Sequence, residues 1–278
     1  MKNLYISDMD GTLLQSNGTL SDYAKQKINE FYENGILFSV ATARSMVTAA
    51  PLLQGVRFSV PIVLMNGVFV YDTERKTAVK YHEIAESAID KIFSAFLQYG
   101  MHPFMFLFGD DGKLSIKYTE FDNDGMRKFY NYRVNMLRWH HCKAENISDI
   151  PKGQHPVYIN YFAPYERLRP VIDILKTVEQ VSFAFYKDSY SDDWLVEIYS
   201  ADASKANSAK DAAEFVKADS ITAFGDNLND IIMLNSADRA VAVDNAVEEV
   251  KEIADIIIGD NNSDSVVKFI AQENGIEI

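Results

Sequence analysis

Asp8-Met9-Asp10-Gly11-Thr12 follows directly on the apolar run Leu4-Tyr5-Ile6, and this juxtaposition decides the fold. The run reads as a buried strand ending at Asp8, and Gly11 gives the chain the freedom to turn sharply behind it. Two carboxylates are thereby aimed at the carboxyl end of a strand, the edge of an open α/β sheet where ligands bind. An isolated Asp-x-Asp more often caps a helix or holds a turn. Its meaning depends on what the rest of the chain brings to the same edge.

Outward from this stretch, Leu20 to Asn34 carries apolar residues at Tyr23, Ala24, Ile28 and Phe31 and is stopped by Gly35, the pattern of an amphipathic helix. Ile36 to Ala41 then reads as a buried strand, so a parallel βαβ unit ends at Thr42-Ala43-Arg44, on the same edge as Asp8. A third apolar run, Ile62 to Met65, leads into Asn66-Gly67, a favoured hairpin turn that would still present the Asn66 amide at a strand end. From Glu83 the texture changes to helices and hairpins, with Phe104 to Phe108 and Leu114 to Tyr118 flanking Gly109-Asp110-Asp111-Gly112. Asp188 to Asp193 reads as a return linker. Alternating βα character resumes at Trp194 to Ile198, taken as a strand of the first module, and continues through a helix carrying Lys205 to a strand that ends at Gly225-Asp226. The expected architecture is α/β, a Rossmann-like doubly wound parallel-sheet core over 1–83 and 191–278 with an inserted α+β domain over 84–190.

At 278 residues and 47% hydrophobic content the chain can bury two cores, and a formal net charge of -13 argues against a nucleic-acid partner. If the partner is a small phosphate ester, local cations must hold it against that field. A single cysteine, Cys142, excludes an internal disulfide framework. With no apolar leader and no membrane-length run, a cytoplasmic protein without membrane partners is expected, a monomer or weak homodimer.

Each further polar residue at the sheet edge has a bland alternative. Thr42 could cap a helix, and Asp226-Asn227-Leu228-Asn229-Asp230 could be an N-cap with first-turn acids. Lys205 near a helix start is less bland, because the helix dipole disfavours a cation there. Together they combine what phosphoryl transfer needs: carboxylates for a hard divalent cation, and a lysine and a hydroxyl for the transferring group's oxygens.

With these residues in view, the chain resembles the haloacid dehalogenase-like superfamily of aspartate-nucleophile phosphatases over essentially its whole length. The motifs are Asp8-Met9-Asp10-Gly11-Thr12, Thr42 in Ala41-Thr42-Ala43-Arg44, Lys205, and Gly225-Asp226-Asn227-Leu228-Asn229-Asp230. The place of the insert is similar to the α/β cap of the Cof-type subfamily (subclass IIB, C2B cap), as is Asn66-Gly67 after the third core strand. The resemblance implies that Asp8 is the nucleophile and Asp10 the acid/base, and that Thr42 and Lys205 hold the phosphoryl oxygens. It further implies Mg²⁺ held by Asp8, Asp10 and Asp226 with support from Asn229 and Asp230, and substrate contacts at Thr42, Ala43, Arg44, Asn66, Gly67 and Lys205. Ala43 stands where the subfamily usually has Gly, Ser200 to Ala203 where Pro and Gly are common, and Ala206 where Gly is frequent. These departures bear on specificity.

The implied activity is hydrolysis of a small phosphorylated metabolite, a sugar phosphate among the classes. A phosphotransferase or mutase using the same aspartyl phosphate, and a weakly active regulatory binding protein, are the alternatives. His140-His141-Cys142 is read as a solvated or partly packed segment rather than a metal site, since adjacent residues rarely point at one ion. Arg127, Lys128, Arg133 and Arg138 either line a cleft or face water.

Overall fold

The computed structural model describes residues 2–136, 140–187 and 192–277; Arg138 and residues 188–191 of the expected linker lie outside them. Fourteen strands are assigned among these residues. They are β1 (Asn3–Ser7), β2 (Leu37–Val40), β3 (Ile62–Leu64), β4 (Phe69–Asp72), β5 (Thr77–Tyr81), β6 (Phe104–Gly109) and β7 (Leu114–Tyr118), followed by β8 (His140–Lys143), β9 (Gln154–Ala163), β10 (Val181–Lys187), β11 (Trp194–Ser200), β12 (Ser220–Gly225), β13 (Arg239–Ala242) and β14 (Ile256–Ile257). The chain divides into two units, Met1–Tyr81 with Ser204–Ile278, and His82–Ala203.

The first unit is built on a parallel sheet in the order β14-β13-β12-β1-β2. Leu4, Ile6, Phe38, Val40, Phe224 and Val241 are buried along it, as expected of strands covered on both faces. A parallel bridge between Ala41 and Val63 extends the sheet to β3, which opens an antiparallel β3-β4-β5 sheet. Helix Asp22–Glu33 packs the face carrying Ala24, Ile28 and Phe31 inward, its start capped by the Ser21 hydroxyl accepting from the Ala24 amide at 2.9 Å. The Asn66-Gly67 turn does connect two antiparallel strands, with Met65, Asn66 and Gly67 all at positive φ.

The second unit holds a sheet in the order β10-β11-β9-β6-β7-β8, antiparallel throughout except for the β7–β8 pair. Helix Glu86–Leu97 lies on one face, where Phe96 meets Tyr161 at a ring-centroid distance of 5.5 Å. Helix Asp124–Asn131 lies on the other, where Phe129 stacks on Phe104 at 5.9 Å. Here the division departs from the expected one. Trp194 to Ile198, read as a strand reopening the first module, is part of β11, which hydrogen-bonds to β9 and β10 inside the second unit. The boundary therefore falls at Ala203, just ahead of the Lys205 helix, rather than near 191. Strand β8, polar and exposed, carries His140, His141 and Cys142 at the sheet edge, and Cys142 is a free thiol there.

One charge cluster in this unit makes its stability pH-dependent. His155 sits between two carboxylates, Nδ1 2.9 Å from Glu83 and Nε2 3.1 Å from Asp110. Neutral imidazole has one N–H, so both contacts are donated only by the protonated ring. Hydrogen bonds to Asp110 and then Glu83 raise its pKa above the usual histidine value. With the folded pKa above the unfolded one, the stabilisation is complete below about pH 6.5 and is lost as pH rises through the folded value. We expect urea unfolding at pH 6 to show His155→Gln less stable than wild type by up to about 1 kcal/mol, given the exposure of both carboxylates. The gap closes by pH 9; a difference independent of pH rules out the protonated clasp.

Candidate active site

The parallel sheet aligns three strand ends. The Asp8 amide donates to Phe224 O at 3.0 Å, and the Ala41 amide donates to Ser7 O at 2.8 Å, so Asp8, Thr42 and Asp226 leave adjacent strands at one edge. Behind Asp8 the chain closes a wide turn in which the Leu14 amide donates to Met9 O at 2.8 Å, with Gly11 at φ +81°. Any side chain at Gly11 would collide with Asp226, since a Cβ there would lie 2.4 Å from Oδ2. Glycine serves here both for the turn and for the approach of a carboxylate. The Thr12 hydroxyl donates to Asp226 Oδ1 at 2.7 Å and so fixes that carboxylate's orientation.

Lys205 is the first residue of the helix Lys205–Val216. The Ser204 hydroxyl caps its helix by accepting from the Asn207 amide at 3.0 Å. The Ser208 hydroxyl, one turn on, donates to Gly67 O at 2.8 Å. Gly67 packs so closely that a Cβ would lie 2.3 Å from Ser204 O, and this contact sets the helix start against the 65–67 turn. Lys205 Nζ then donates to Asp8 Oδ1 at 2.5 Å and to Asp230 Oδ1 at 2.7 Å, with all three groups buried. The cation misplaced for its helix dipole is thus placed for two acids. Burial alone would push the lysine pKa down, but Asp8 and Asp230 outweigh it and hold it up.

Asp230 does two things at once. Its Oδ2 accepts from the Asp226 and Asn227 amides at 3.1 and 3.2 Å, a helix cap, while Oδ1 takes Lys205. Gly225 leaves room for it, since a Cβ there would lie 2.6 Å from Asp230 Cβ. The bland and functional readings of this stretch therefore coexist in one side chain.

Carboxylate oxygens of Asp8, Asp226 and Asp230 lie within 4.8 Å of one another. Three acids facing one lysine leave uncompensated negative charge in a largely buried place. Accordingly burial, with Asp230 and Asp226 adding to it against Lys205, raises the Asp8 pKa, and burial raises that of Asp226. Oxygen donors crowded in this way suit a hard divalent cation such as Mg²⁺. Asn229, expected to support the metal, is exposed on the Leu228–Asp230 turn, one residue before Asp230. Among the described residues one other group has such spacing, His102, Glu120 and Asp122. There Asp122 already accepts from the His102 amide at 2.6 Å and the Tyr161 hydroxyl at 2.7 Å, which accounts for it structurally.

Asp10 is turned elsewhere. Arg44 holds it bidentately, Nε to Oδ2 at 2.7 Å and an η-nitrogen to Oδ1 at 2.6 Å. Thr42 is buried, and its hydroxyl accepts from the Arg44 amide at 3.1 Å instead of capping a helix. Ala43 is exposed with no positive φ, so this loop does not need the glycine usual in the subfamily. The Asn66 backbone N–H donates to Thr42 O at 3.0 Å, joining the two loops. Sequence reasoning misses Asn245, whose Nδ2 donates to Gly11 O at 2.8 Å; a lone asparagine past a strand end carries no pattern that would single it out.

A profile of the haloacid dehalogenase-like hydrolase family matches residues 5–270. The chain is similar to a pyridoxal phosphate phosphatase of Escherichia coli, 24% identical over 95% of each chain. It is similar also to a 5-amino-6-(5-phospho-D-ribitylamino)uracil phosphatase of Bacillus subtilis, 23% identical over 95% of each. In fold it matches a haloacid dehalogenase-like hydrolase from Bacteroides thetaiotaomicron with a TM-score of 0.71 at 21% identity, covering 98% of this chain and 100% of the other.

Proposed function

The chain belongs to the haloacid dehalogenase-like hydrolase family, and from that premise we propose that it is a Mg²⁺-dependent phosphatase of small phosphorylated metabolites working through an aspartyl phosphate. The observation that carries this reading is the buried bridge from Lys205 to both Asp8 and Asp230 beside Asp226. A lysine held between a nucleophile and metal carboxylates is the charge arrangement that in-line displacement at phosphorus requires.

Asp8 attacks phosphorus, and the ester P–O bond breaks as the new P–O bond to the carboxylate forms. Asp10 gives its proton to the leaving alkoxide and later takes one from the water that releases inorganic phosphate. Arg44 occupies both Asp10 oxygens here, so the acid/base has to leave that ion pair before it can act. Lys205 and the Thr42 hydroxyl neutralise and orient the phosphoryl oxygens, with Arg44, Ala43, Asn66 and Gly67 lining the approach. Asp8, Asp226 and the Asp10 main-chain carbonyl would hold Mg²⁺, with Asn229 and Asp230 supporting it directly or through the residues that bind it. Bound there, the ion offsets the crowded carboxylates and the charge on the transferring group.

No helix among the described residues is long and apolar enough to cross a membrane. The exposed Cys142 thiol suits a reducing compartment such as the cytoplasm.

The test is phosphate release from p-nitrophenyl phosphate and a panel holding sugar phosphates, pyridoxal phosphate and 5-amino-6-(5-phospho-D-ribitylamino)uracil, with and without Mg²⁺. Release from at least one ester that stops on chelation is expected. Absence of Mg²⁺-dependent release from every ester sinks the hydrolase reading, and phosphoryl transfer to added alcohols in place of release would move it to the transferases.

A further inference from the structure

The two acid-bearing loops are tied together by a third that no motif covers, residues 243–247 after β13. On one side, the Val247 amide donates to Asp226 O at 2.9 Å and the Val243 amide to Gly225 O at 3.4 Å. On the other, the Asn245 side chain donates from Nδ2 to Gly11 O at 2.8 Å. Asn245 is itself held, since its Oδ1 accepts from the Asn261 amide at 2.9 Å, and Asn261 Nδ2 donates to Leu14 O at 2.8 Å. The Gly11 turn is thus anchored at Gly11 and Leu14 to the same brace that anchors Asp226. Gly11 is also where the Asp226 carboxylate comes closest to the first loop, with no room for a methyl group between them.

We infer that Asn245 is a positioning residue for the divalent cation: by holding the Gly11 carbonyl it fixes the spacing between the Asp8–Asp10 turn and Asp226, and so the affinity of the carboxylate cluster for metal. The inference rests on the proposed metal reading but assigns a role to a residue outside the ligand set. Gly11 is the flexible point of its loop, with a backbone that samples positive and negative φ about equally when unrestrained. The carboxamide removes that freedom without touching the ion. Groups that orient metal ligands in this way change metal affinity by roughly 10- to 100-fold when removed.

The experiment is Mn²⁺ binding to the full chain by electron paramagnetic resonance, in competition with Mg²⁺, with the relevant signal identified by its loss in Asp226→Asn. Asn245→Ala is expected to raise the Mn²⁺ Kd by roughly 10- to 100-fold while the thermal unfolding midpoint of the metal-free protein stays near wild type. Asn245→Asp keeps the acceptor for the Asn261 amide and loses only the donor to Gly11. It adds a negative charge that alone would tighten binding, so weaker binding in this variant isolates the hold on Gly11. Asn262→Ala, which removes the contacts to Ser16 in the same cleft, is expected to leave Kd unchanged. A Kd within twofold of wild type for Asn245→Ala, tighter binding by Asn245→Asp, or equal weakening by Asn262→Ala overturns the assignment. Wild-type protein that binds no Mn²⁺ at this cluster would instead overturn the metal reading beneath it, and catalysis plays no part in either outcome.

Discussion

If Asp8 is the nucleophile proposed above, replacing it by Asn is expected to lower Mg²⁺-dependent phosphate release by on the order of 10⁴-fold or more, while the protein stays folded. Both halves follow from the same surroundings. The amide lacks the charge to attack phosphorus, and losing a covalent nucleophile removes the intermediate rather than weakening it. Asn nevertheless fills the same volume and keeps an oxygen for Lys205 Nζ. It also withdraws one negative charge from a cluster in which burial and neighbouring acids already disfavour ionisation of Asp8. A phosphate assay on the p-nitrophenyl ester, paired with circular dichroism, reads both. Activity within tenfold of wild type would remove Asp8 from the nucleophile's role.

The second large effect is on stability. Lys205→Met keeps a long apolar stem but leaves Asp8 and Asp230 facing each other, buried, without their shared cation. Removing one partner of a buried ion pair costs about 3–5 kcal/mol, because the remaining charge is stranded. Urea unfolding in chelator should show a loss of that size, and saturating Mg²⁺ should recover part of it by supplying another cation to the same oxygens. Combining Lys205→Met with Asp8→Asn should cost less than the sum, since the second change relieves the repulsion exposed by the first. A loss below about 1 kcal/mol in chelator contradicts the picture of a stranded pair.

Much of this site is legible in the amino-acid order alone, for a physical reason. Strands β1, β2 and β12 are buried on both faces and read as largely apolar runs, with only small hydroxyl residues such as Ser39 and Thr222 between, so counting along them places the residues just beyond at the sheet edge. Lys205 is conspicuous because it opposes its own helix dipole. Trp194 to Ile198 misleads, since alternation marks a strand without saying which sheet it joins. Its partners β9 and β10 belong to the second unit. Strand β8 is hidden for the opposite reason: His140-His141-Cys142-Lys143 is exposed on an edge and has no apolar face to show. Asp10 reads as aimed at the site, yet its oxygens are taken by Arg44, thirty-four residues on. Pairing across such a separation leaves no local trace, and the same holds for Asn245 and Gly11.

The order of strands in the parallel sheet also has a consequence for how the protein is made. Strand β1 lies between β2 and β12, with Asn3 opposite Ser220, and its first backbone contact to the far segment joins Lys2 to Asp219, 217 residues apart. At synthesis rates of about 5–20 residues per second, the strand that ends at Asp8 leaves the ribosome about 10–45 s before its neighbour exists. Within that interval the whole of His82–Ala203 is completed. A segment made late therefore completes a sheet begun early, and the edge carrying Asp8, Thr42 and Asp226 forms only after the second unit has been synthesised.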